Sequence, residues 1–164
     1  IANNFLMKYM KQFTIGVNME GAVKGKKIQD IDLEEICKGL KKVHKSIQII
    51  ILTSPEKLER VNQLVKKMGH SYVSSSYKTS KILDVAALIK NLDIIITPDT
   101  SISHIASAFD KPVVTIHENN QDSFQLFAPT SPLSKTVFST EKNSLAGYDV
   151  QKVIELSNQL INKI

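Results

Sequence analysis

Two kinds of hydrophobic pattern alternate along this chain. Short runs rich in isoleucine and valine predict strands that are buried on both faces, at 13–18, 47–53, 72–74, 93–97, 113–117 and 136–139. Between them, apolar residues recur every three or four positions, which predicts helices at 32–44, 55–68, 82–91, 102–109 and 150–164. The stretch 118–135 is less regular, and we expect a long loop around a short helix there.

The ends of these elements carry recognisable signals. Pro55 suits the first turn of a helix, and Gly69 stands where a left-handed cap is wanted. Thr79 or Ser80 can cap the helix that follows, and Asp149 can cap the last one. Strict alternation of strands and helices implies a parallel sheet with helices on both faces. We therefore predict an α/β, three-layer, Rossmann-like domain.

Length and composition fit one ordinary domain. The chain has 164 residues, 42% of them hydrophobic, and no apolar run approaches the roughly 20 residues that span a bilayer. It starts without Met and without a recognisable signal peptide. We expect that it was cut from a longer protein, with 1–12 as the remnant of an interdomain segment and 13–164 as the domain. Cys37 is the single cysteine and is expected to be a buried hydrophobe in a cytoplasmic protein.

The net charge of +5 comes almost entirely from lysine, since Arg60 is the only arginine. Specific nucleic-acid readers depend on arginine, and the sequence has no cluster of aromatic and basic residues, so no nucleic-acid partner is expected. The lysines are spread along helices, which favours solvated helix faces. Affinity for phosphate ligands or for an anionic membrane surface remains open.

In open α/β sheets, ligands bind beyond the carboxyl ends of the strands. The loop after the first strand lacks the glycine pattern of dinucleotide-binding proteins. Gly25 and Lys26 resemble the end of a phosphate-binding Walker loop, but Glu20 and Lys27 replace its first glycine and its hydroxyl residue. Hydride transfer and P-loop phosphotransfer are therefore disfavoured.

The corner after the strand at 93–97 is more informative. Thr100 and Ser101 would present backbone N–H groups at the start of a helix, which is a ready-made phosphate site. Asp99 suits sugar hydroxyls, although it could equally be the N-cap of this helix. His104 lies one turn further on, and a lone histidine beside an apolar helix face is more often structural than a ligand.

Two more groups have alternative interpretations. Lys24, Lys26 and Lys27 form either a solvated turn or a source of phosphate-binding charge. Glu56 is either a first-turn carboxylate that the helix dipole favours or an acceptor for ribose hydroxyls.

Taken together, these segments resemble glycosyltransferase family 9, the ADP-heptose:lipopolysaccharide heptosyltransferases. The resemblance covers nearly the whole chain and is strongest over 79–116. It rests on Lys78-Thr79-Ser80, Ala86-Ala87-Leu88-Ile89, Asp93 with Ile94 to Ile96, Asp99-Thr100-Ser101-Ile102-Ser103-His104-Ile105-Ala106-Ser107-Ala108 and Lys111-Pro112-Val113-Val114.

The resemblance implies the C-terminal, donor-binding half of a bacterial GT-B enzyme. That enzyme would transfer heptose from ADP-heptose to the lipopolysaccharide core with inversion and without a metal or other cofactor. Carried over by position, Asp99 would bind the donor sugar, Lys26, Thr100, Ser101 and His104 the diphosphate, and Glu56 the ribose.

The catalytic base of the family lies in the N-terminal, acceptor-binding half, so little or no activity is expected from this chain alone. The protein would be cytoplasmic, and a peripheral contact with the cytoplasmic face of the inner membrane remains open.

Three departures from the family pattern bear on the donor. Ser101 replaces a glycine where backbone approaches phosphate, Glu118-Asn119-Asn120 replaces Gly-Pro-Thr, and Glu20 would repel a diphosphate if it pointed inward. Two alternatives follow: a family member that uses another nucleotide sugar for surface polysaccharide, or a nucleotide-binding module without catalytic activity.

Overall fold

The computed structural model of the chain describes residues 1–21 and 25–164. The strands are β1 Phe13–Asn18, β2 Ile47–Leu52, β3 Val73–Ser75, β4 Ile94–Pro98, β5 Val113–His117 and β6 Ser134–Phe138. The helices are α1 Ala2–Leu6, α2 Asp30–Val43, α3 Leu58–Met68, α4 Ile82–Lys90, α5 Ser101–Ala108, α6 Gln121–Phe127 and α7 Val150–Ile161. No helix within the two described ranges is long and apolar enough to span a bilayer.

The six strands form one parallel sheet in the order β3-β2-β1-β4-β5-β6. One core lies where α2, α3 and α7 cover the first face, and a second lies where α1, α4 and α5 cover the other. The predicted three-layer α/β fold is therefore confirmed. Strand order reverses between β1 and β4. The connections that follow these two adjacent strands therefore run toward opposite edges of the sheet, and a crevice lies between them.

Most predicted boundaries agree with the structure to within about two residues, but one capping assignment is wrong. Thr79 and Ser80 do not cap α4, because its N-cap residue is Lys81. The carboxylate of Asp84 instead accepts hydrogen bonds from the backbone amides of Ser80 and Lys81, at 2.8 and 3.0 Å. The side chain at the third position of the helix thus accepts from the backbone amides at and before the N-cap, which is the part that an acidic residue plays in a capping box.

The segment before β1 is helical. Residues Ala2–Leu6 form α1 and Met7–Tyr9 form one turn of 3₁₀ helix. Ala2 and Leu6 are buried, and Leu6 belongs to the core cluster that includes residues of α4. The assignment of 1–12 as an interdomain remnant stays a prediction.

Cys37 lies in α2 and its side chain is fully buried, as predicted. Burial raises the pKa of its thiol to about 12, with a smaller contribution from Glu34. Because the thiolate is the reactive form, we expect no reaction of native protein with a thiol reagent at pH 8 and one thiol per chain in denaturant. Rapid labelling of the native chain would contradict this burial.

Candidate nucleotide-sugar site

A cleft of about 720 Å³ lies at the carboxyl ends of β1 and β2, at the crossover of the sheet. Its walls come from Asn18 at the end of β1 and Glu20 after it, from 52–57 at the end of β2 and beyond, from 79–82 at the start of α4, and from 100–102 at the start of α5. Open α/β proteins hold their ligands at this position, and the volume is that of a small-molecule pocket.

Asn18, the last residue of β1, organises the floor of the cleft. Its side chain is 6% exposed in the folded chain. Its Nδ2 group donates hydrogen bonds to Thr97 Oγ1 at 3.0 Å, Thr100 Oγ1 at 3.3 Å and the carbonyl of Glu20 at 2.9 Å. One buried amide thus joins the end of β1, the end of β4, the start of α5 and the loop after β1.

The N-terminus of α5 points into this cleft. Thr100 is the N-cap residue, and its Oγ1 accepts a hydrogen bond from the Ile102 amide at 3.2 Å. Ser101 begins the helix, is exposed, and lines the cleft together with Thr100. The first amides of a helix have no acceptor inside the helix and lie at the positive end of its dipole. The structure therefore excludes Asp99 as the N-cap and leaves the helix end accessible to an anion.

Asp99 and His104 lie outside the residues that line the cleft. The Asp99 amide donates to the Ile116 carbonyl at 3.1 Å, which ties the residue to β5. Its carboxylate Oδ2 lies 3.8 Å from Nδ1 of His117. His104 is exposed on α5, so it is not buried in the core of the domain.

Lys26 also lies outside the cleft lining, in an ion pair that the sequence did not predict. Its Nζ is 3.2 Å from Oε1 of Glu118, and the two side chains are only 17% and 8% exposed. The neighbouring Lys27 forms an antiparallel bridge with Glu20. Lys26 is therefore not part of a solvated turn, whereas Lys27 is exposed, and Lys24 lies outside the described residues.

His117 is buried, with a side chain 1% exposed. Phe124 packs against its ring edge to face at a centroid distance of 5.0 Å, and Phe138 lies 6.3 Å away. Burial lowers the pKa of His117; Asp99 opposes this shift, and the positive charge of Lys26 reinforces it. The imidazole is therefore neutral at pH 7.

Charges inside the cleft are nearly balanced. Glu20 forms an ion pair with Lys57, so its repulsion of a diphosphate is offset. Lys81 adds a second cation to the lining. Glu56 is exposed, and hydrogen bonds from its own amide and from Ser54 lower the pKa of its carboxyl. It therefore stands in the cleft as an ionised acceptor for hydroxyl groups.

The structure thus divides five of the six predicted site residues, all except His104, into two neighbouring groups. Glu56, Thr100 and Ser101 line the cleft. Lys26 and Asp99 form a polar cluster with two residues that sequence reasoning missed as site residues, His117 and Glu118. Both missed residues lie at the carboxyl end of β5, and this position was the signal that could have identified them.

Comparison with known proteins identifies the family of this chain. Residues 32–155 match the model of glycosyltransferase family 9 (heptosyltransferase). A comparison with curated protein sequences finds no match.

Among solved structures, ADP-heptose lps heptosyltransferase II of E. coli has a TM-score of 0.81 at 19% identity, over 99% of this chain and 50% of that one. A family 9 glycosyl transferase from Veillonella parvula has a TM-score of 0.81 at 16% identity, over 99% and 51%. E. coli heptosyltransferase WaaC with ADP has a TM-score of 0.75 at 20% identity, over 97% and 48%.

The chain therefore spans about half the length of these structures, and its fold is that of one half of a GT-B glycosyltransferase. The family match covers most of the chain and includes every predicted site residue except Lys26, which precedes it. The chain belongs to glycosyltransferase family 9, the heptosyltransferase family.

Proposed function

We propose that this domain binds the nucleotide-sugar donor of a glycosyltransferase. The observation that carries the proposal is the open N-terminus of α5 in a cleft at the crossover of the sheet. Backbone amides at a helix start bind phosphate oxygens and need no charged side chain to do so. Thr100 and Ser101 supply these amides, and both residues line the cleft.

The remaining parts of a nucleotide sugar would then extend from this phosphate position. Glu56, in the part of the wall that follows β2, would accept hydrogen bonds from the ribose hydroxyls. Asp99, directly before the helix, would accept from hydroxyls of the sugar. Lys26 and His104 would contribute to the diphosphate from the same side as Asp99, and Lys26 would have to share its charge with Glu118.

The donor we propose is ADP-heptose, because the chain belongs to the heptosyltransferase family. The proposed reaction is metal-independent and inverting transfer to the lipopolysaccharide core in the bacterial cytoplasm. The acceptor would bind to the other half of the enzyme, and the catalytic base would belong to that half. The isolated domain would accordingly bind donor without transferring the sugar.

One observation favours a family member with a different sugar. Glu118 places a second buried carboxylate close to Asp99, Lys26 and His117. Two carboxylates beside a neutral imidazole would accept more hydrogen bonds from the donor sugar than Asp99 alone. Another nucleotide sugar for surface polysaccharide is therefore the second candidate.

Calorimetric titration of the chain with ADP, UDP, GDP and ADP-heptose tests the proposal. We expect a preference for ADP, with ADP-heptose binding more tightly than ADP. The Asp99→Ala variant should lose about ten- to a hundredfold in affinity for ADP-heptose and keep its affinity for ADP, because a carboxylate hydrogen bond to a hydroxyl is lost.

The Glu56→Gln variant should weaken ADP and ADP-heptose equally, since both carry the ribose. Glu59→Gln, an exposed carboxylate on α3, is its matched control. A preference for UDP or GDP would replace ADP-heptose by another donor. Binding of ADP-heptose that ignores Asp99→Ala would remove the sugar contact. Donor binding without sugar transfer by the full-length protein would leave a non-catalytic nucleotide-binding module.

A further inference from the structure

Both ring nitrogens of His117 are inaccessible to solvent, and neither has a hydrogen-bond partner among the described residues. Such a buried polar group is unusual, because an unmade hydrogen bond in a protein interior is costly. His117 is the last residue of β5, so its ring lies at the ligand-binding end of the sheet. The ring therefore lacks a partner at a position where ligand binding could change its contacts.

The ring of His117 packs against aromatic side chains and has the carboxylate of Asp99 close to one nitrogen. Phe124 from α6 and Phe138 from β6 cover it with aromatic carbon. The charged and titratable groups that act on it are Asp99, Lys26, Glu118 and His104. Of these, Asp99 is within 4 Å of Nδ1.

The distance from Nδ1 of His117 to Oδ2 of Asp99 is 3.8 Å. A normal hydrogen bond between these atoms would be shorter by about 1 Å. The Asp99 backbone is fixed to β5 through its amide hydrogen bond to Ile116. Because the backbone is held, a rotation of the Asp99 side chain would be the movement that closes the gap. The carboxylate would then have one oxygen bound to the imidazole and the other directed at a ligand.

We propose that His117 is a positioning residue for Asp99: its Nδ1–H group donates to one carboxylate oxygen of Asp99 when a hydroxyl of the donor sugar binds the other. This inference rests on the proposed function, because it takes Asp99 as the sugar-binding carboxylate. His117 itself does not touch the donor. It selects the one orientation of Asp99 in which both carboxylate oxygens have partners.

Burial supports this role because it lowers the pKa of His117 and keeps the ring neutral. A neutral imidazole donates a hydrogen bond and leaves the negative charge of Asp99 available to the sugar. A charged imidazolium would form an ion pair with Asp99 and weaken it as an acceptor.

Binding of ADP and of ADP-heptose to His117→Phe and His117→Asn tests the proposal. Phenylalanine fills the space without a donor, and the amide of asparagine can restore a donor close to the position of Nδ1. We expect His117→Phe to weaken ADP-heptose by about tenfold and ADP by less than about twofold. His117→Asn should recover most of this loss. In an Asp99→Ala background, His117→Phe should have no further effect on ADP-heptose, because the two residues act as one unit.

Equal losses for both ligands, or an additive double variant, would overturn the proposal in favour of a merely structural role. Nitrogen NMR of the chain saturated with ADP-heptose gives a second readout. We expect the proton of His117 on Nδ1 in the wild type and a loss of this preference in Asp99→Ala. A proton on Nε2 in the wild type would also overturn the proposal. If the wild type binds neither ligand, the proposed function itself fails, and this outcome is distinct from a wild type that binds both ligands and loses them equally in His117→Phe.

Discussion

Replacing Lys26 with methionine is expected to weaken ADP binding by about ten- to a hundredfold, because one charge-assisted contact to the diphosphate is lost. Methionine keeps most of the length and apolar volume of the lysine side chain. The matched control is Lys27→Met, since Lys27 is the adjacent, exposed lysine. Calorimetry with ADP should show little change for this control.

Two other lysines allow a test that could contradict diphosphate binding by Lys26. Lys57 and Lys81 line the cleft, whereas Lys26 lies outside it and is paired with Glu118. If Lys57→Met and Lys81→Met each weaken ADP more than Lys26→Met does, the cations of the cleft itself bind the diphosphate. Lys26 would then serve the ion pair alone.

The Lys26→Met variant should also be less stable, by about 1–3 kcal/mol in urea unfolding, because Glu118 is left nearly buried without its cation. This figure lies below that for a fully buried pair, since 17% of the Lys26 side chain remains exposed. Adding Glu118→Gln should restore most of the stability while ADP binding stays weak. The double variant thereby separates the effect on folding from the effect on the ligand.

Replacing Leu92 with alanine is expected to lower the free energy of unfolding by about 2–5 kcal/mol. Leu92 follows α4 and is fully buried in the core between the sheet, α4 and α5. Its Cδ1 lies over Gly16 of β1, where an added Cβ would come within 2.7 Å. The side chain thus occupies space that a glycine leaves in the central strand, and its loss opens a cavity there.

Leu83→Ala is the matched control for this prediction. Leu83 lies in the first turn of α4 and is 71% exposed, so its truncation should change the free energy of unfolding by less than about 0.5 kcal/mol. Urea unfolding of both variants checks the pair. Similar values for the two would mean that α4 does not pack on the sheet as described.

Much of the fold follows from local pattern. The isoleucines of β2 and β4 form strands because a central parallel strand is apolar on both faces, and this signal needs no distant partner. Gly69 has a φ of 66°, in the region that a left-handed helix cap requires. Local rules were less reliable where side chains compete for the same backbone groups. Thr100 rather than Asp99 caps α5, although both residue types are good caps.

The candidate site was predicted only in part from the local sequence pattern. The sequence by itself determined the layer architecture and the position of the Asp99-Thr100-Ser101 corner at the end of β4, because these depend on short-range periodicity and on where parallel strands end. The resemblance to the family rested instead on the residue motifs between Lys78 and Val114. Only the tertiary structure decided that Lys26 pairs with Glu118 and that Asp99 faces His117. The two residues of each pair are distant in sequence and belong to different loops. Which charged side chains meet therefore depends on which loops the strand order brings together. Strand order is set by packing of the whole chain, so no local pattern contains it.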